Sequence, residues 1–344
     1  MSKQKKHLPF GEWPEQDQRL WDMVFGEGDI FDDMPTAHLA AATKKGLRSA
    51  YARYLGFLAV DDPERLKLPP SDRVTAESLK QFAAHLSHTY KDSSVAGSLR
   101  HLYQGLRYTC PKNDWSWIKV IAGRIGGRSV PRTHPPITSG QLLQLGVSLM
   151  SESQADAVER GFISRESART YRDGLIIALL AAVPLRRRTL AALTIDLHLV
   201  AVGEHWMLDI RAADTKADRA LQFPLPIILS SSIARYTECI RPTFPDARTH
   251  RGLWPSLKGQ PMTAGALYDA VRRRTRDTLG VTVNLHRFRT AAGNLWSIRD
   301  PSNVRGVKDL LGHSRFDTTD KHYISSQSRA AGRELAQALT NSHG

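Results

Sequence analysis

The chain has 344 residues, 41% of them hydrophobic, and a formal net charge of +14. That length gives two domains as the expectation; the apolar share excludes wholesale disorder, and no apolar run approaches the roughly 18 residues of a membrane span. The basic excess favours a polyanionic partner, a signature shared by ribosomal, membrane-surface and DNA-binding proteins, and the two cysteines, Cys110 and Cys239, read as reduced thiols in a cytosolic protein.

The first ten residues, MSKQKKHLPF, are basic with no apolar segment behind them, so they are no signal peptide. Between Glu12 and Asp33 stand eight acids against the single Arg19. Residues 1–35 therefore read as an acidic extension, solvated or docked on a basic face, and unsuited to lie on a polyanion. From Thr36 the pattern turns helical. Leu47, Ala50, Tyr51, Tyr54, Leu55 and Leu58 form one apolar stripe. Thr75 caps a second helix, Ser94 a third, and Trp115, Trp117, Ile118 and Ile121 mark a short fourth. Residues 36–125 thus read as a four-helix domain whose aromatic side chains are core. Lys44, Lys45, Arg48 and Arg100 stand on its outer faces; each alone is a solvated charge, and together they suit phosphate contacts.

Residues 126–137, GGRSVPRTHPPI, read as a linker, kept extended by three prolines. Composition alone fits an ordinary tether equally well. Thr138 caps the next helix, and Ser164 or Ser167 opens another that Pro184 stops. A small antiparallel sheet follows, with strands over 197–202, 206–211 and 221–225 and Lys216 at the second hairpin tip. Helices are expected over 230–240 and 263–279, the latter carrying Arg272, Arg273, Arg274 and Arg276. These four are candidates for base reading or plain phosphate contact. P-loop, GxGxxG, CxxC, HExxH and calcium-loop spacings are all absent from the sequence, so ATP, NAD and structural zinc have no support.

Residues 285–323 hold the densest chemistry: His286-x-x-Arg289, Leu310-Leu311-Gly312-His313, and Tyr323 ten residues later. Together with Lys216 and the upstream run Pro184-Leu185-Arg186-Arg187-Arg188-Thr189-Leu190-Ala191-Ala192-Leu193, this set resembles the tyrosine recombinases, the phage-integrase family. The resemblance covers about residues 138–325 by motif and 36–125 by architecture. The family's arginine box usually reads Gly-Leu-Arg-x-x-Glu-Leu-x-x-Leu, so Pro184 stands for glycine and Thr189 for glutamate. The gap from His313 to Tyr323 is also one residue longer than the commonest form.

The resemblance implies a mainly α fold with a small antiparallel β-sheet in the catalytic domain, the two domains closing as a C-shaped clamp on DNA. It assigns 36–125 as the helical core-binding domain, 126–137 as linker, and 138–344 as the tyrosine recombinase catalytic domain. A tail helix within 324–344, with Ala330, Leu335 and Leu339 on its apolar face, resembles the one that family members pass to a neighbour. Arg186 and Arg289 would clamp the phosphate, and Tyr323 would attack it. His286 would act as base or proton relay, His313 would donate a hydrogen bond to the phosphate, and Lys216 would protonate the departing 5′ oxygen. A 3′-phosphotyrosine conserves the bond energy, so no cofactor, metal or nucleotide is expected.

The implied partners are double-stranded DNA at specific recombination sites and three further copies of the chain, with related recombinases or accessory proteins as further candidates and no membrane. The implied location is cytoplasmic, with the nucleoid. A mobile-element integrase fits better than a chromosome-dimer resolvase. The alternatives are a type IB topoisomerase-like or telomere-resolving relative, and a catalytically silent DNA-binding accessory protein of the same fold.

Overall fold

The computed structural model describes residues 7–26, 35–128, 135–214, 220–299, 332 and 335–340. The chain divides into two compact units, Met1–Thr133 and His134–Gly344. Both are mainly helical, and the second holds the small sheet. No helix among the described residues is long and apolar enough to cross a membrane.

The first unit contains α1 (Glu15–Phe25), α2 (Ala41–Asp61), the short α3 (Pro63–Leu66) and α4 (Pro70–Arg73), α5 (Ala76–Ser87), α6 (Asp92–Thr109) and α7 (Ser116–Gly127). The α2 stripe is buried as its periodicity requires, with Leu47, Tyr51, Tyr54, Leu55 and Leu58 at 1% exposure or less. Thr75 caps α5 through a reciprocal pair with Ser78. Ser94 does not cap α6; that helix starts at Asp92, with Lys91 as its N-cap and no side-chain cap.

The acidic extension departs further from expectation. Leu8, Trp13, Trp21 and Val24 are all buried, and the first three belong to the same core as α2, α5 and α6. Trp13 and Trp21 pack their rings within 5.5 Å of each other and of Tyr51. Asp17 is fully buried and accepts from Arg73 at 2.8 and 3.0 Å, and from the Tyr51 hydroxyl. The acids around Asp17 hide two tryptophans at near-helical spacing, which outweigh them in deciding where the segment goes.

The second unit is built on α8 (Ser139–Arg160) and α9 (Arg165–Ala182). Thr138 caps α8 through a reciprocal pair with Gln141, and Ser164 caps α9. α10 (Arg187–Ala192) follows, then the antiparallel sheet β1 (Leu199–Val202), β2 (His205–Ile210) and β3 (Leu221–Pro224) in the order β1-β2-β3. Gly203, at φ 61°, makes the first hairpin turn. α11 (Ser230–Arg235), α12 (Ala264–Leu279), capped by Thr263, and α13 (Leu285–Arg299) complete the body. Residues 335–340 are helical, and Leu335 and Leu339 are buried in this unit's own core. Just before them, a Cβ on Gly332 would lie 3.2 Å from Phe223.

Candidate active site

α8 and α9 cross at two glycines. A Cβ on Gly146 would lie 2.6 Å from the Gly174 carbonyl oxygen, and one on Gly174 would lie 2.7 Å from the Gly146 oxygen. Only glycine permits backbones to approach so closely. The crossing seats the C-terminal half of α9 in the core, and every residue from Tyr171 to Leu185 is buried. The chain then emerges at Arg186, the half-buried N-cap of α10. α10 is held from behind, with the Trp254 indole N–H donating to the Leu190 carbonyl at 2.9 Å.

α13 lies against α8 and α9, burying Leu285, Phe288, Ala291 and Ala292. That periodicity leaves His286 and Arg289, three residues apart and therefore neighbours on a helix surface, on the side away from the core. His286 is exposed and Arg289 half-buried. Arg289 donates from Nη1 to the Pro184 carbonyl at 2.7 Å. The proline that departs from the family's box thus supplies, through its backbone, the acceptor that joins α13 to the start of α10. Burial, and then the charge of Arg186, push the Arg289 guanidinium down from its ordinary value to about 10. Two arginines from elements about 100 residues apart in sequence are therefore close enough to repel. An anion between them would relieve that repulsion and accept two planar forks of donors, the geometry that phosphate oxygens match.

Of the six residues expected to carry the chemistry, the structure brings Arg186 and Arg289 together, with His286 one helical step away. Lys216, His313 and Tyr323 lie outside the described residues.

The arginines of α12 divide. Arg273 and Arg274 turn inward to Asp173, which is 1% exposed, at 2.9 and 3.2 Å. Arg274 also donates to Glu166 and Thr170, and Arg172 donates to the other Asp173 oxygen at 2.7 Å. A buried carboxylate draws cations to itself, so Arg273 and Arg274 hold α12 on α9. Arg276 pairs with Asp277 on the surface. Arg272 is exposed, its guanidinium over the Tyr268 ring. Asp173 was missed in the sequence because nothing near it separates it from an ordinary helix-surface acid at the head of the apolar run from Leu175; its only local sign is the adjacent Arg172.

In the first unit, Lys45, Arg48 and Arg100 are exposed and Lys44 half-buried. Arg48 stacks over Phe10, 3.8 Å from the ring centre. Gly46 of α2 lies against His101 of α6, whereas the Arg100 guanidinium lies beside Gly126 of α7.

The sequence profile of the phage integrase family matches residues 153–329, which is more than half of the 344-residue chain. Two solved structures share the fold: the XerH site-specific recombinase bound to difH substrate in a pre-cleavage complex, and the same recombinase with palindromic difH substrate in a post-cleavage complex. Identity is 13% and 14% and the TM-scores are 0.55 and 0.57, over 88% and 89% of this chain and 79% and 80% of theirs. No curated protein matches the sequence.

Proposed function

This chain belongs to the phage integrase family, the tyrosine recombinases, and from that premise we propose that it is a site-specific DNA recombinase. It cleaves and rejoins duplex DNA through a 3′-phosphotyrosine, serving integration or excision of a mobile element. The observation that carries this reading is the convergence of Arg186 and Arg289, with Arg289 pushed down to about 10 by burial and by its neighbour. Two guanidinium groups held this close present planar forks of donors to one place, and a scissile phosphodiester is the anion that the family's chemistry needs there. That XerH was solved on its DNA substrate before and after cleavage supports a DNA partner.

In this reading the Tyr323 oxygen attacks phosphorus, and the bond to the 5′ oxygen breaks. His286 takes up or relays the phenol proton, and Lys216 gives one to the departing oxygen. Negative charge that builds on the non-bridging oxygens is met by Arg186 and Arg289, with His313 donating a further hydrogen bond. A 5′ hydroxyl of a partner strand then reverses the step, releasing the tyrosine. Four copies acting on two duplexes would exchange strands in pairs.

The test is a suicide substrate nicked beside the cleavage site, with covalent protein–DNA adduct read on a denaturing gel. Wild-type protein should form adduct and Tyr323→Phe none. Arg289→Ala should slow adduct formation about 100-fold or more, the usual scale for losing one transition-state donor. Adduct with Tyr323→Phe, or none with wild type, would falsify the mechanism.

A further inference from the structure

We propose that Arg187, Tyr268 and Arg272 form a second phosphate-binding element, beside the Arg186–Arg289 pair, that grips the DNA backbone next to the cleaved phosphate. The inference rests on the reading of the protein as acting on DNA.

The observation behind it is a contrast within one helix. α12 carries four arginines, and the described carboxylates take three of them: Arg273 and Arg274 go to Asp173, and Arg276 to Asp277. The Arg272 guanidinium makes no hydrogen bond or ion pair among the described residues; its Cζ stands over the Tyr268 ring, 5.2 Å from the centroid. Arg187, on α10, is exposed and likewise has no such partner among the described residues. Its Cζ stands over the same ring at 5.6 Å. One half-buried tyrosine therefore gathers two guanidinium groups from two helices.

An exposed cation–π contact is weak. It limits the wandering of a long side chain but leaves its charge and its donors unmet. Two such cations around one neutral ring repel each other, and a bound anion turns that repulsion into attraction. The element is also aimed. Asp173 fixes the rotation of α12 through Arg273 and Arg274, which puts Arg272 on the side of the helix that faces α10. Arg187 directly follows Arg186 in sequence, so whatever phosphate Arg186 meets, Arg187 meets its neighbourhood. With both contacts made through the ring, Tyr268 acts as a positioning residue and not as a platform for a base. A phosphodiester backbone is the occupant: it offers a second anion at a fixed distance from the first, which a lone small anion does not.

Binding of a short mixed-sequence duplex, followed by fluorescence anisotropy across a salt series, tests this. Wild type should show a linear fall of log K with log salt. Arg187→Gln and Arg272→Gln should each flatten that slope by about 0.9, the contribution of one phosphate contact, with the double variant losing about twice as much. Affinity at one fixed salt should drop about tenfold for each single change. Tyr268→Phe keeps the ring and should behave as wild type, whereas Tyr268→Leu should lose part of the slope. An unchanged slope in both glutamine variants overturns the second site while leaving the DNA reading intact. An equal flattening by Arg160→Gln, an exposed arginine of α8 that pairs with Asp156 and makes no contact with the Tyr268 ring, also overturns it, since net charge alone would then explain the effect. Binding by wild type that does not respond to salt overturns the DNA reading itself.

Discussion

Arg289 donates to the Pro184 carbonyl at 2.7 Å while burial and the neighbouring Arg186 push its pKa down to about 10. In the unfolded chain the same guanidinium keeps its ordinary value. The folded state therefore binds this proton less tightly, and below about pH 10 the charged form costs stability. The cost fades only as pH climbs from about 10 towards the ordinary arginine value. Near neutral pH it is constant, so a neutral limb in a pH–rate profile would belong to another group. Arg186→Gln removes the like charge. Its melting temperature should match or exceed that of wild type, while adduct formation on the nicked substrate falls about 100-fold or more. A clear loss of melting temperature would show that Arg186 is a structural residue instead.

The Gly146–Gly174 crossing decides where α9 delivers Arg186 and how closely α13 can lie. Gly174→Ala would place a methyl 2.7 Å from a backbone oxygen and 3.0 Å from the Leu149 Cβ, neither of which can step aside as a flexible tip would. The expected cost is about 3 kcal/mol, the upper end for overpacking, measured by denaturant unfolding; a neutral result would mean that the helices part freely. Sequence reading reached the elements because their signals are local. Thr75, Thr138 and Ser164 sit a few residues from the amides they cap, and Pro184 ends the helix it follows. Arg186, His286 and Arg289 stand out in the sequence only through the order of the motifs they resemble; the structure adds that Arg289 feels the charge of Arg186. What sequence reading missed is long-range. The glycine pair is separated by 28 residues, and Asp173 meets Arg273 and Arg274 about 100 residues on. Nothing near either glycine announces the other, and no local pattern separates a structural arginine from a binding one.

At the scale of the molecule, the first unit is closed by the segment that composition alone would place in solvent. α1 brings Trp21 and Asp17 against Tyr51 of α2, and the Asp17–Arg73 pair is wholly excluded from water. A buried pair adds little compared with a well-packed apolar one, yet removing one partner strands the other. Asp17→Asn should therefore cost the first unit about 3–5 kcal/mol, read as a lowered midpoint in the unfolding of the full chain. Asp22→Asn, an exposed change on the same helix, should cost nothing measurable. Equal effects of the two would mean that the segment's overall charge matters and the pair does not.

Asp173 also shapes how the chain looks to a polyelectrolyte at a distance. The net charge of +14 counts every arginine alike, but Arg273 and Arg274 face an interior carboxylate and contribute little to the outward potential. The field over α12 is consequently narrow, concentrated at Arg272 and the neighbouring α10, and not smeared along four arginines. If the chain grips a duplex as proposed, a sparse field of that kind would favour one register over sliding contact at many, and the choice of register would depend on an aspartate that no nucleotide would touch.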